Sequence, residues 1–236
     1  MQAVILAAGR GERMGALTEG TPKPLLEVAG KTLLEHKLDV LPNDIDEVII
    51  IVSYLGSAIQ NYFGGSYKGK RLLYVEQEML NGTAGALWNA QSVLKDRFLV
   101  LNGDDIYSKE DIIKCVAGAH DWMMLVYESP EVRTGGTVVL DAHDNVKDIV
   151  ENHDTGGVAG LTNMNVFVLD MRIFQSTMVP KAERSTEYGL PQTVLAAART
   201  QKIPLHAARA GFWAQITSPE DLQKAEEILE KSEKMA

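Results

Sequence analysis

The sequence predicts an α/β fold with a mostly parallel sheet, and three observations carry that prediction. β-Branched apolar runs alternate with longer segments of helical periodicity along most of the chain. A loop rich in glycine directly follows the first apolar run. Hydrophobic residues make up 45% of the 236 residues, enough to bury a sizeable core.

Taken in order, "AVILAA" (3–8) reads as a buried first strand. "LLEHKLDVL" (33–41) has apolar residues at helical spacing, and "EVIIIVS" (47–53) is a second strand with a short helix near 55–62. "KRLLYVEQ" (70–77) is a third strand, "GTAGALWNAQSVL" (82–94) a helix, and "DRFLVLNGDD" (96–105) a strand that runs into a polar turn. "KEDIIKCVAGA" continues as helix and "DWMMLVYE" as strand. "GGTVVLDAHDNVKDIVEN" reads as two antiparallel strands joined at an Asp-Asn turn, and "LTNMNVFVLD" as another strand. A helix near 187–199 and a strand near 203–208 precede "GFWAQI". The closing helix has Ser218 as a ready N-cap, Pro219 in its first turn and early acids.

The net charge is −9, from 32 acidic and 23 basic residues, with no lysine or arginine block. Neither nucleic acid nor an anionic membrane is therefore an expected partner. Cys115 is the single cysteine and cannot form an internal disulfide, which fits a reducing cytoplasm. No apolar run approaches the ~20 residues of a membrane helix. "AVILAA" is too short for a signal-peptide core and no basic segment precedes it, so the chain reads as soluble and cytoplasmic. With no proline- or serine-rich linker, one domain spanning 1–236 is expected. Its nucleotide-binding half would cover about 1–128, and an insert-like acceptor half about 129–236.

The stretch "LAAGRGERMGALTEGTPKPLLEV" (6–28) can be tested against known glycine-rich loops. A dinucleotide fingerprint, G-x-G-x-x-G, fits Gly9 and Gly11 but meets Met14 at the third position, with Gly15 one residue late. A P-loop ending in "AGKT" (29–32) would need its first glycine where Leu25 stands. A third reading remains, in which backbone N–H groups approach an anion while Arg10, Arg13 and Lys23 add charge. Pro22 and Pro24 stiffen the chain around Lys23 and hold that side chain.

At this point the sequence resembles the sugar-phosphate nucleotidyltransferases, the nucleoside-diphosphate-sugar pyrophosphorylases. The opening signature "LAAGRGERM…TPKPLLEVAGKTLLEH" is followed, in family order, by "EQEMLNGTAGAL", "LVLNGDDI", "DIVEN", "NMNVFVLD", "STEYGL" and "GFWAQITSPEDL". The resemblance implies a Rossmann-like, three-layer α/β/α nucleotidyltransferase fold with a mixed, mostly parallel central sheet. It also implies a reaction in which a nucleoside triphosphate and a sugar 1-phosphate give a nucleoside-diphosphate sugar and pyrophosphate. The acceptor phosphate attacks the α-phosphorus in line, so the protein supplies positioning and charge neutralisation.

By the same resemblance, Leu6, Ala7, Ala8, Gly9, Arg10 and Gly11 would hold base, ribose and phosphates. Arg13 would grip the leaving pyrophosphate and Lys23 would stabilise the α-phosphate. Gln77, Gly82 and Thr83 would contact the base; a glutamine amide both donates and accepts, which suits a uracil or thymine edge. Asp104 would bind Mg²⁺, with Asp105 as its neighbour. Gly136, Glu151, Asn152, Asn163, Asn165 and Glu187 fall where the acceptor is bound.

Three positions depart from the family pattern. Gln215 stands where a second metal-binding aspartate is usual, and an amide oxygen is the weaker Mg²⁺ ligand. Asn152 replaces the lysine that would hold the sugar phosphate, and Asn165 replaces a glycine, narrowing the acceptor pocket. UTP or dTTP is the favoured nucleotide. Use of CTP or GTP with a non-glucose or non-sugar phosphate, and a weakly active nucleotide-sugar-binding homologue, stand as alternatives. No left-handed β-helix repeat follows, so the acetyltransferase part of bifunctional relatives is expected to be absent. The oligomeric state is left open, a homo-oligomer included.

Overall fold

The computed structural model describes residues 1–132, 136–150 and 158–233. Four parallel strands form the centre of one sheet, side by side in the order Lys70–Glu76, Glu47–Val52, Gln2–Leu6 and Arg97–Asn102. The long strand Val158–Asp170 lies antiparallel beside Arg97–Asn102 and is also antiparallel to Trp122–Val132. Leu205–Ala210 runs parallel to Trp122–Val132 on that side. The sheet is thus mixed, with its main strands mostly parallel.

The interior positions of Gln2–Leu6, Glu47–Val52 and Arg97–Asn102 are apolar and buried because both faces are covered. In Glu47–Val52, Ile49 and Ile51 point into one hydrophobic cluster, while Val48, Ile50 and Val52 point into another. Helices α1 (Leu33–Val40), α2 (Gly56–Phe63) and α4 (Lys109–Ala117) pack on the Ile50 side. Helices α3 (Thr83–Asn89) and α5 (Leu190–Gln201) pack on the Ile49 side, giving three layers. A smaller cluster joins Met14, Val28, Leu33, Ile106 and Ile216 to Ala225 of helix α6 (Pro219–Glu233), beneath the glycine-rich loop.

Local chemistry sets the element ends. Thr32 caps α1 through a reciprocal capping box with Glu35. Helix α3 stops at Asn89 rather than near residue 94, because the Ala90, Gln91 and Val93 N–H groups close tighter three-residue turns onto Leu87, Trp88 and Ala90. Pro191 near its start suits the first turn of α5. The expected Asp-Asn turn joins Thr137–Leu140 to Val146–Val150, and the Asp141 carboxylate accepts the His143 and Asn145 N–H groups. Among the described residues no helix is long and apolar enough to cross a membrane.

Candidate active site

The carboxyl ends of the four central strands meet at one edge, where ligands bind in open α/β sheets. There the Ala7 N–H donates to the Ile51 carbonyl at 2.9 Å, and the Gly103 N–H to the Leu6 carbonyl at 2.9 Å. The Gln77 N–H donates to the Val52 carbonyl at 2.8 Å, and Ser53 Oγ donates to the Ala8 carbonyl at 2.5 Å. These bonds bring Leu6, Ala7, Ala8, Gln77 and the Asn102–Asp104 turn together. A side chain at Gly103 would stand 2.8 Å from the Leu6 oxygen, so the turn closes only with glycine. A side chain at Gly9 would meet no protein atom within 4 Å; the space that glycine spares lies outside the protein.

Gly11 adopts φ 68°, a left-handed conformation that turns the loop into the 3₁₀ segment Glu12–Thr18. The Thr18 hydroxyl reaches back to the Gly11 carbonyl at 3.0 Å. Arg10 and Arg13 are exposed along this loop.

Lys23, by contrast, is buried, with 6% of its surface exposed. Pro22 is extended and Lys23–Leu25 form a single 3₁₀ turn, which aims the lysine inward. Its Nζ donates to Asp104 Oδ2 at 2.6 Å and to the Ile216 carbonyl at 2.5 Å. Ile216 is in reach because Trp213–Ala214 pairs antiparallel with Ile106–Tyr107, just past Asp104. The Asp111 carboxylate secures that pairing from α4 by accepting the Gly211 and Phe212 N–H groups. Gln215 follows Ala214 directly and is half-buried beside this edge. The Asp104 side chain keeps 34% of its surface exposed.

Asp105 points the other way and is 2% exposed. It accepts from Trp213 Nε1 at 3.2 Å and from the Tyr107 hydroxyl at 3.4 Å. Burial, then the Asp104 charge, push its carboxyl up to about 7. Over the Tyr107 ring lies Lys37 of α1, 0% exposed, its Nζ 5.5 Å from the ring centre. Among the described residues no hydrogen-bond partner meets that Nζ. Burial pushes the Lys37 ammonium down to about 8, opposed by the charges of Asp105 and Asp104. Lys37 was not among the candidates drawn from the sequence, although a signal was there. It sits four residues after Leu33 and three after Leu34, on the apolar stripe of α1.

At the neighbouring strand end, the Gln77 side chain is buried and donates to Asn81 Oδ1 and to the Gly82 carbonyl, both at 3.2 Å. Gly82 has φ 97°, and a side chain there would meet the Tyr188 carbonyl oxygen at 2.4 Å. The contact is close because the Tyr188 N–H donates to Asn81 and the Tyr188 carbonyl accepts from Ala84. Thr83 Oγ1 accepts the Leu190 N–H at 2.9 Å. Glu187, exposed, is thereby set beside Gly82.

Asn163 is buried, and its Nδ2 donates to Asn165 Oδ1 at 2.9 Å. Asn165 has φ 53°, a conformation that favours glycine and that asparagine tolerates better than most residues. Gly136, with φ 79°, opens the strand beside Val150. Glu151 and Asn152 lie outside the described residues. The structure thus brings the loop, Lys23, Asp104, Gln77, Gly82, Thr83 and Glu187 to the carboxyl edge. Among the described residues no three of His, Cys, Asp and Glu cluster as a metal cage.

Known proteins share this architecture. The chain is 30% identical over 231 residues to the bifunctional protein GlmU of Methanocaldococcus jannaschii, covering 97% of this chain and 54% of that protein. It is 27% identical over 238 residues to the UTP–glucose-1-phosphate uridylyltransferase AglF of Haloferax volcanii, covering 98% and 97% of the two. The chain spans about half the length of the bifunctional relatives it matches. A solved structure of a glucose-1-phosphate thymidylyltransferase assigned in Bacillus anthracis shares the fold, with TM-score 0.81 at 21% identity, covering 97% of this chain and 94% of that one. Residues 2–232 match the family described as "Nucleotidyl transferase", and the chain belongs to that family.

Proposed function

We propose that the chain joins a nucleoside triphosphate, UTP or dTTP, to a sugar 1-phosphate, releasing pyrophosphate and an NDP-sugar. The whole span 1–236 acts as one domain, with the nucleotide held by about 1–128 and the acceptor by about 129–236. The observation that carries this reading is the Lys23–Asp104 contact at 2.6 Å, at the carboxyl edge behind a glycine-rich loop. An acceptor phosphate oxygen attacks the α-phosphorus, a new P–O bond forms, and the bond to the β-phosphate oxygen breaks as pyrophosphate leaves. Such a displacement asks for charge neutralisation rather than a covalent intermediate.

The loop backbone from Leu6 to Gly11 receives the triphosphate, Arg13 holds the departing pyrophosphate, and Lys23 stabilises charge building at the α-phosphate. Gln77, Gly82 and Thr83 read the base. Gly136, Asn163, Asn165 and Glu187 orient the acceptor, with Glu151 and Asn152 of the adjoining segment. Asp104 fits Mg²⁺, since it is a partly exposed hard-oxygen donor at the phosphate edge, and this ion commonly takes one or two carboxylates with substrate phosphates and water. Bound there, the ion neutralises phosphate charge.

UTP is favoured by the Haloferax relative's name, and Gln77 Oε1 offers an acceptor for a uracil N3–H. A non-hexose acceptor is a second reading, favoured by Asn165, whose side chain occupies space beside Asn163. The test is pyrophosphate release with Mg²⁺ across UTP, dTTP, CTP, GTP and ATP against hexose, polyol and aminoalcohol phosphates. Turnover with UTP or dTTP and a sugar phosphate is expected. Turnover confined to CTP or GTP would overturn the nucleotide assignment, and none with any pair would overturn the reaction. Gln215→Asp should lower the Mg²⁺ concentration needed for half-maximal rate; an unchanged requirement removes position 215 from the metal site.

A further inference from the structure

Asn81 has no role in the chemistry above, yet it touches the side chain assigned to the base. Its Oδ1 accepts one N–H of the buried Gln77 amide at 3.2 Å, and the Gly82 carbonyl accepts the other at 3.2 Å. That carbonyl is fixed, since it also takes the Ala86 N–H of α3 at 3.0 Å. A carbonyl oxygen can meet only the NH2 half of an amide, so Gln77 has one orientation here. Both of its N–H groups are engaged inside the protein, and no donor among the described residues meets its Oε1.

Asn81 is itself held in place. Its N–H donates to the Met79 carbonyl at 2.8 Å, and its carbonyl accepts the Tyr188 N–H at 2.7 Å. Its side chain lies against Gly85 of α3, where an added Cβ would overlap Asn81 Oδ1. The bare backbone at Gly85 leaves the room that the Asn81 amide fills.

We propose that Asn81 is a positioning residue for base choice: it occupies the second N–H of Gln77, so that the amide presents only its oxygen to the nucleobase. A lone acceptor suits the N3–H of uracil or thymine and opposes the lone pair on N3 of cytosine. Guanine N1–H would also satisfy it, so CTP is the informative competitor. Without Asn81, one buried N–H lacks a partner, and the amide is stabilised by turning it to cytosine N3. The proposal rests on the base-reading role given to Gln77 above.

The experiment measures UTP and CTP binding with Mg²⁺ by titration calorimetry, and kcat and KM with the acceptor that turns over. It compares the native chain with Asn81→Leu, Asn81→Asp and Gly85→Ala. Asn81→Leu should lower the preference for UTP over CTP about 5- to 30-fold, the scale of one buried amide hydrogen bond. The loss should fall on Kd and KM for UTP and leave kcat within about threefold, because the base lies away from the reacting phosphorus. Asn81→Asp keeps an acceptor and should retain the preference within about threefold. Gly85→Ala suits a helix but pushes the Asn81 amide aside, so it should lose the preference as Asn81→Leu does. An unchanged preference in Asn81→Leu or Gly85→Ala, or an equal loss in Asn81→Asp, overturns the proposal. So does a native chain that does not prefer UTP.

If the native chain prefers UTP in binding yet turns over no substrate pair, the transferase reading falls while the binding ratios still decide the role of Asn81. If Asn81→Leu does not fold, Gly85→Ala decides it.

Discussion

Around Leu6 and Asp104 the edge is made of main chain, whereas around Asn163 and Glu187 it is made of side chains. On the nucleotide side, bonds between adjacent strand ends fix Ala7, Gly103 and Gln77, and a side chain at Gly103 would collide with backbone. On the acceptor side, Asn163 and Asn165 bond each other across a bulge in strand pairing, and exposed Glu187 pairs loosely with Lys181 at 3.7 Å. Backbone geometry is set by the fold and tolerates little change. Side chains at a surface edge can be exchanged without disturbing the sheet. On the proposed assignment, the difference would tie nucleotide handling to the architecture and leave acceptor choice to a few replaceable residues.

Four substitutions break or sharpen that contrast. Lys23→Ala should lower turnover about 10²- to 10³-fold or more with an unchanged circular-dichroism spectrum, as expected when one charge-stabilising donor is lost. An active Lys23→Ala protein would remove the lysine from catalysis. Gly82→Ala, where the two edges touch, should destabilise by roughly 2–4 kcal/mol in urea unfolding, from left-handed strain plus overpacking against Tyr188. A smaller loss would mean that the 187–190 segment gives way. Glu187→Gln should raise KM for the acceptor phosphate about tenfold and leave the nucleotide KM unchanged; an equal rise in both would put Glu187 on the nucleotide side. Asn165→Gly should change stability by no more than about 1 kcal/mol, since relief of the left-handed conformation offsets the lost side-chain bond. Its informative readout is acceptor range, which should widen.

The parallel core was legible because its strands are continuous apolar runs set between helical patterns, as in "EVIIIV". The position of Asp104 at a strand end was legible from the strand running into a polar turn, and the positive φ of Asn165 matches its standing where glycine is usual. The pairing of Trp213–Ala214 with Ile106–Tyr107 was not legible, since two-residue strands carry no periodicity. Nor was the nearness of Glu187 to Gly82, which depends on how α5 returns to the sheet. Lys37 escaped for a different reason. A lone lysine reads as solvated, and only the folded structure shows its Nζ buried over the Tyr107 ring.

The bond from Lys23 to the Ile216 carbonyl spans 193 residues. A ribosome adding about 5–20 residues per second needs roughly 10–40 s to cross that interval. Throughout it, the nascent loop carries a lysine whose inward seat lacks one wall, and Asp104, made partway along, is its sole anionic partner of the pair. The edge proposed to handle phosphate is therefore among the last parts of the molecule to mature, although its signature opens the chain. A release or cleavage before residue 216 would leave a fragment holding the central sheet strands and the full glycine-rich signature, yet with its lysine unanchored.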